Sequence, residues 1–188
     1  MMNLNNPKIR RLEWDDFAEL AEQELAYHME LERNPHFGIG TYGSKPEPTG
    51  LVDWFTKLYT AALCGDAFVS VAEVGGKIVG MCHIEAGHFA EGPHVGELGI
   101  SVVKKHRNAG IGARLIKAAL EDSRGRFEII SSSVFSTNKS AIALYKRFGF
   151  KEYSVAPKFV KRGHVYISSV SMYLDIGRGI PRIKKDND

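Results

Sequence analysis

Between residues 95 and 122 the apolar pattern changes its period, and no other stretch restricts the fold as strongly. "VGELGISVV", residues 95 to 103, alternates: Leu98, Ile100 and Val102 share one face, and Glu97, Gly99 and Ser101 share the other, as in a strand. From Ile111 the apolar residues recur at helical spacing, with Ile111, Leu115, Ala119 and Leu120 on one stripe to about Asp122 and Gly125 as the stop. A strand that hands over to an amphipathic helix has to bury both elements against other layers. The spacing therefore predicts a fold that mixes sheet and helix.

The rest of the chain supplies those layers. Residues 8 to 12 read as a short strand. "DDFAELAEQELAYHMELE" follows as a helix, with Phe17, Leu20, Ala21 and Leu25 on one face and Asp15 or Asp16 at its start. Residues 33 to 50, rich in Gly and Pro, read as a long loop of the kind that forms lids or binding segments. A second helix is expected over roughly 51 to 64, burying Leu51, Trp54, Phe55, Leu58 and Leu63. "AFVSVAEVGGKIVGMCHIEAG" gives two strands joined by Gly75-Gly76, a two-residue hairpin signal. "FEIISSSVF" is a further strand, "NKSAIALYKRF" a helix ending at Gly149, and strand-like stretches follow near 150 to 155 and 164 to 174. The order is α+β (mixed α/β), with antiparallel strands early and a strand-helix-strand-helix crossover late. One domain over 1–188 is expected, with its core at about 8–176 and a basic tail at 177–188.

Charge and cysteine content exclude several classes. The net charge is +3, from 25 basic and 22 acidic residues, and the basic residues are spread along the chain, which argues against nucleic acid. Cys64 and Cys82 form no paired framework, so a reducing cytoplasmic location is expected. The start "MMNLNNPKIRR" lacks the apolar core of a signal peptide, and no apolar run approaches the ~18 residues of a membrane span. His83 and His88, five apart on a strand, would face opposite sides, and no metal is expected. A homodimer is compatible with the sequence.

The joint between strand and helix, "KKHRNAGIGARLI", is cationic and glycine-opened. The first amides of a helix have no intrahelical partner and carry partial positive charge, so this end suits an anion. Gly110 and Gly112 would let a phosphate approach the backbone, and Arg107 and Lys105 could add charge. A plain tight turn with a solvated basic face explains the segment as well. The GxxxxGK[ST] of a nucleotide-hydrolysing loop is absent, and the GxGxxG of a dinucleotide fold fails at its third glycine, where Leu115 stands. Glu128, 18 residues after Gly110, could mimic that fold's ribose-binding acid, but the early hairpin conflicts with an all-parallel sheet.

"RNAGIG" resembles the [QR]xxGx[GA] signature of the GNAT superfamily of N-acetyltransferases. "NKSAIALYKRFGF" resembles that family's second motif, NxxAxxLYxxxGF, at Asn138, Ala141, Leu144, Tyr145, Gly149 and Phe150, and "ELGISV" resembles its fourth strand. The resemblance covers about residues 66 to 174. It implies a twisted, mostly antiparallel central sheet with helices on both faces and a splayed pair formed by its fourth and fifth strands. It implies acetyl-CoA as cosubstrate, with the pyrophosphate held by Arg107, Asn108, Ala109, Gly110, Ile111, Gly112 and Ala113. The pantetheine arm would meet Ile100, Ser101, Val102 and Asn138, and an amine would be the acceptor.

Forming an amide from an amine and a thioester needs a neutral nitrogen, a stabilised tetrahedral oxyanion and a proton for the departing thiolate. Glu97 is the expected base, directly or through water; a surface carboxylate is its other reading. Some family members carry a glutamate five residues before the motif asparagine, where this chain has Ser133. Tyr145, protonated at neutral pH, is the expected acid; packing beneath the cofactor is its other reading. Asn138 also suits a helix N-cap. Gly99 suits a strand bulge, and a backbone N–H of that strand could hold the thioester oxygen. Tyr166 and the 33–50 loop are expected to border the acceptor. A non-catalytic acyl-CoA sensor and, less favoured, a nicotinamide-dependent dehydrogenase are the alternatives to transfer.

Overall fold

The 188-residue chain is described by a computed structural model over residues 7–36, 38, 47–87 and 92–177. Its elements in chain order are β1 (Lys8–Arg11), α1 (Phe17–Arg33), α2 (Pro48–Cys64), β2 (Ala67–Val74), β3 (Lys77–Ala86) and β4 (Val95–Val102). Then come α3 (Ile111–Asp122), β5 (Ile129–Phe135), α4 (Lys139–Arg147), β6 (Lys151–Arg162) and β7 (Val165–Asp175). The strands form one sheet in the order β1-β2-β3-β4-β5-β7-β6. Every neighbouring pair is antiparallel except β4 and β5, which run parallel because α3 carries the chain back between them.

The periodicity of each helix decides which face of the sheet it covers. Ile111, Leu115, Ile116, Ala119 and Leu120 of α3 are all buried and pack with Cys82, Ile84, Leu98, Ile130 and Met172 on one face. Tyr145, Phe148 and Phe150, from α4 and the turn after it, join the same cluster. On the other face Leu20 of α1 and Phe55 and Leu58 of α2 pack on Val69, Val71, Ile78 and Met81. Helices therefore lie on both faces, as the resemblance implied. Among the described residues no helix is long and apolar enough to cross a membrane.

Three expectations need correcting. Leu63 is 73% exposed, not buried. Counting ~100° per residue from Leu51 places it roughly 120° off the stripe formed by Leu51, Phe55 and Leu58, so it faces solvent. Helix α2 starts three residues early, at Pro48, because proline is accepted in a helix's first turn. Strand β6 runs on to Arg162, accommodated by register shifts after Glu152 and Ala156.

The feature that positions the site is the junction of β4 and β5. Pairing is confined to Val95↔Ile129, Gly96↔Ile130 and Glu97↔Ser131. Beyond Glu97 the two strands diverge, although β4 continues to Val102 and β5 to Phe135. Two serine hydroxyls tie the apex: Ser131 donates to the Gly96 carbonyl at 3.3 Å, and Ser132 donates to the Leu98 carbonyl at 3.0 Å.

Candidate active site

The cradle lies where β4 ends. Asn108 and Gly110 both adopt left-handed backbone, φ 60° and 77°, which folds the loop into a concave run of amides. The first helical bond of α3 is donated by the Arg114 amide to the Gly110 carbonyl, at 3.3 Å, so the amides of Ile111, Gly112 and Ala113 lack an intrahelical partner. No atom lies within 4 Å of the position a Cβ on Gly110 would take. These groups fit an anion such as a pyrophosphate. Two expected roles change. The Arg107 guanidinium forks onto Glu30 of α1 at 2.8 and 2.9 Å and donates to the Val102 carbonyl at 2.8 Å, so it braces the loop instead of adding free charge to it. The Cβ position of Gly112 faces inward, where it would meet Leu144 at 3.1 Å, so its missing side chain serves helix packing while its amide stays with the cradle.

At the apex of the diverging strands stands Tyr145. Its ring packs on Phe150 with centroids 5.3 Å apart, and its hydroxyl lies near that of Ser132. Burial pushes its pKa up to about 12, the Ser132 hydroxyl opposing and the nearby Cys82 adding to the rise, so the phenol keeps its proton at neutral pH. Ile100, Ser101 and Val102 pair with Cys82, Met81 and Gly80 of β3 on one side; on the other, β5 has moved away. That leaves an extended backbone edge inside the sheet.

Glu97 projects from the opposite face of β4. Register places Glu85 directly across from it on β3 and His83 across from Gly99. The imidazole Nε2 lies 3.9 Å from a Glu85 oxygen, while Nδ1 is buried without a hydrogen-bond partner. A Cβ on Gly99 would fall 2.4 Å from His83 Cε1, so glycine is needed here to seat the ring. The expected bulge is absent, because the β3–β4 register runs through Gly99 without a break. Burial lowers the His83 pKa, against the pull of Glu85 and Glu97.

A shallow, open groove of about 400 Å³ lies beside Glu97, lined by Val95, Ile129, Ser131, Tyr153 and Tyr173. Tyr153 and Tyr173 meet edge to face at 5.9 Å. Tyr166 sits toward the other end of β7 from Tyr173, with the Lys158 and Lys161 ammonium groups each 5.6 Å from its ring centroid. Asn138 is an N-cap. Its side-chain oxygen accepts from the Ala141 amide at 3.1 Å, and its nitrogen donates to the Gly38 carbonyl at 3.1 Å. Both ends of its amide are thus engaged within the protein. Of the 33–50 loop, residues 37 and 39–46 lie outside the described residues, as do His88 and the tail from 178. Among the described residues no three His, Cys, Asp or Glu side chains group as metal ligands would.

Glu97 lies on β4, Tyr145 on α4 and the cradle at the start of α3, while Glu30, Ser132, Tyr153 and Tyr173, and His83 outside a metal role, carry no signal in the motifs. Gly99 was a signal for His83, since a glycine inside a strand marks close approach.

Residues 7–150 match the Acetyltransferase (GNAT) family. This chain belongs to that family. It is 30% identical over 104 residues to an L-amino acid N-acetyltransferase of Escherichia coli, spanning 54% of this chain and 64% of the relative. It is 33% identical over 108 residues to an N-alpha-acetyltransferase of Sulfurisphaera tokodaii, spanning 52% and 65%. The matches thus cover just under two thirds of each relative. A phosphinothricin acetyltransferase of the GNAT superfamily from Sinorhizobium meliloti, solved with acetyl-CoA, shares the fold at TM-score 0.78 and 16% identity, over 96% of this chain and 94% of that one.

Proposed function

We propose that this chain transfers the acetyl group of acetyl-CoA directly to a primary amine. The observation that carries the reading is the divergence of β4 and β5 beyond Glu97 and Ser131, with the Tyr145 hydroxyl at its apex and the α3 amides at its open end. When bound, acetyl-CoA supplies a thioester whose carbonyl carbon an amine can attack. The amides of Ile111, Gly112 and Ala113 hold the pyrophosphate, and the backbone edge of Ile100 to Val102, apart from the Val102 carbonyl that Arg107 already holds, meets the pantetheine arm. A backbone N–H of β4 stabilises charge on the carbonyl oxygen. Glu97, exposed on the acceptor face, takes a proton from the incoming ammonium. Tyr145, kept protonated by burial, gives a proton to the leaving sulfur beside Ser132, whose own hydroxyl is tied to the Leu98 carbonyl.

Tyr145→Phe removes one oxygen and keeps the ring against Phe150. Its acetyl-CoA dissociation constant should stay near that of the parent while the single-turnover rate falls about 10²-fold, the usual scale for a lost general acid. A rate close to the parent's would remove Tyr145 from the chemistry. Acetyl-CoA binding without thiol release on any amine would favour a sensor instead.

A further inference from the structure

We infer that the acceptor is an amine with an aromatic or bulky apolar group and no carboxylate beside the nitrogen. Its ammonium lies at Glu97 and Glu85, and its apolar group lies in the shallow groove of Val95, Ile129, Tyr153 and Tyr173. The inference rests on the acetyl-transfer reading above and names the class of amine that reading leaves open.

Charge is the first argument. Glu85 and Glu97 face each other directly across antiparallel strands, an arrangement that is destabilising for like charges. Among the described residues neither forms an ion pair with a lysine or arginine; the one partner shown is His83, 3.9 Å from Glu85. His83 does little to neutralise them, because burial favours its uncharged form. Two carboxylates held together beside the apex, at a cost in stability, suit a cation brought by the substrate. The same pair repels a carboxylate carried next to the amine.

Position and lining are the second argument. Val95 lies two residues before Glu97 on the same face of β4, a separation of about 6.6 Å along a strand. Ser131 both pairs with Glu97 in register and lines the groove. The ammonium site and the groove are therefore adjacent, so one small amine can reach both. A valine, an isoleucine and two tyrosine rings make walls that suit an apolar group. Tyr153 is 62% exposed, so much of its ring is available for stacking.

The test uses the full chain with acetyl-CoA and follows thiol release on phenethylamine, propylamine, phenylalanine and spermidine. Phenethylamine should exceed each of the others at least 10-fold in kcat/KM. Tyr153→Ala, a change at an exposed ring, should shrink the phenethylamine-to-propylamine ratio about 10-fold, and Glu85→Gln should raise phenylalanine relative to phenethylamine. Phenylalanine or spermidine turned over as well as phenethylamine, or a ratio unmoved in Tyr153→Ala, would overturn the inference while leaving acetyl transfer intact. Calorimetry of phenethylamine with the coenzyme A-loaded protein separates the remaining cases. Binding that depends on Tyr153 without turnover would uphold the pocket and defeat acetyl transfer. Absence of both binding and turnover of phenethylamine would overturn the inference, and acetyl transfer would then be judged by thiol release on the other amines.

Discussion

A hydrogen atom in place of a side chain at Gly99 lets the His83 imidazole pack against β4, next to the Glu85–Glu97 pair. That ring brings a pH dependence whose sign can be worked out. Burial lowers its pKa in the folded protein, whereas in the unfolded chain it titrates near ~6.5. As pH falls through 6.5 the unfolded state takes up a proton that the folded state resists, so acid favours unfolding and stability rises with pH across that window. Melting temperatures measured between pH 5 and 7 should therefore climb more steeply in the parent than in His83→Gln. Equal slopes would mean the ring titrates as if exposed. The sequence showed which face Gly99 shares with Glu97, because alternation is local. It could not show that His83 lies opposite, since that depends on a register joining strands through a separate loop.

Elements were legible to the degree that their periodicity was. Helix α3 was readable because its buried stripe is unbroken, and α4 because its capping asparagine and following glycine mark both ends. The tie between α1 and the cradle was not, because Glu30 and Arg107 lie 77 residues apart, Glu30 reading alone as a surface charge and Arg107 as a phosphate ligand. Their fork is partly buried, with side-chain exposures of 18% and 26%, and it holds the arginine that grips the Val102 carbonyl. Such charge-assisted, bidentate pairs are stronger than surface ones. Glu30→Ala should loosen the loop that presents the α3 amides, raising the KM for acetyl-CoA about 10-fold with a much smaller change in kcat. Glu30→Asp should recover part of the loss, and Arg107→Lys, which cannot fork, should resemble Glu30→Ala. A kcat defect with unchanged KM would assign the pair to something other than cofactor binding.

On the scale of the whole molecule, the sheet is two sheets joined at a short seam, β1 to β4 on one side and β5 to β7 on the other. The family motifs foretold the splay; how few residues hold the seam follows only from the pairing. Ligand-free protein should exchange the amides on the open edge of Ile100 to Val102 and of Ser132 to Phe135 rapidly with deuterium. Saturating acetyl-CoA should protect them before any other strand, and at 100 times its dissociation constant it should add about 2.7 kcal/mol of stability. Protection confined to other strands would mean the arm binds elsewhere. The opening also bears on self-association. An unpaired strand edge on a sheet's rim invites a neighbouring molecule to add a strand, but this one faces inward, flanked by strands on both sides and closed at its narrow end. A slender flexible chain can thread into it, whereas the strand of another folded protein cannot, so the molecule keeps hydrogen-bonding backbone ready for a ligand without offering a template for aggregation.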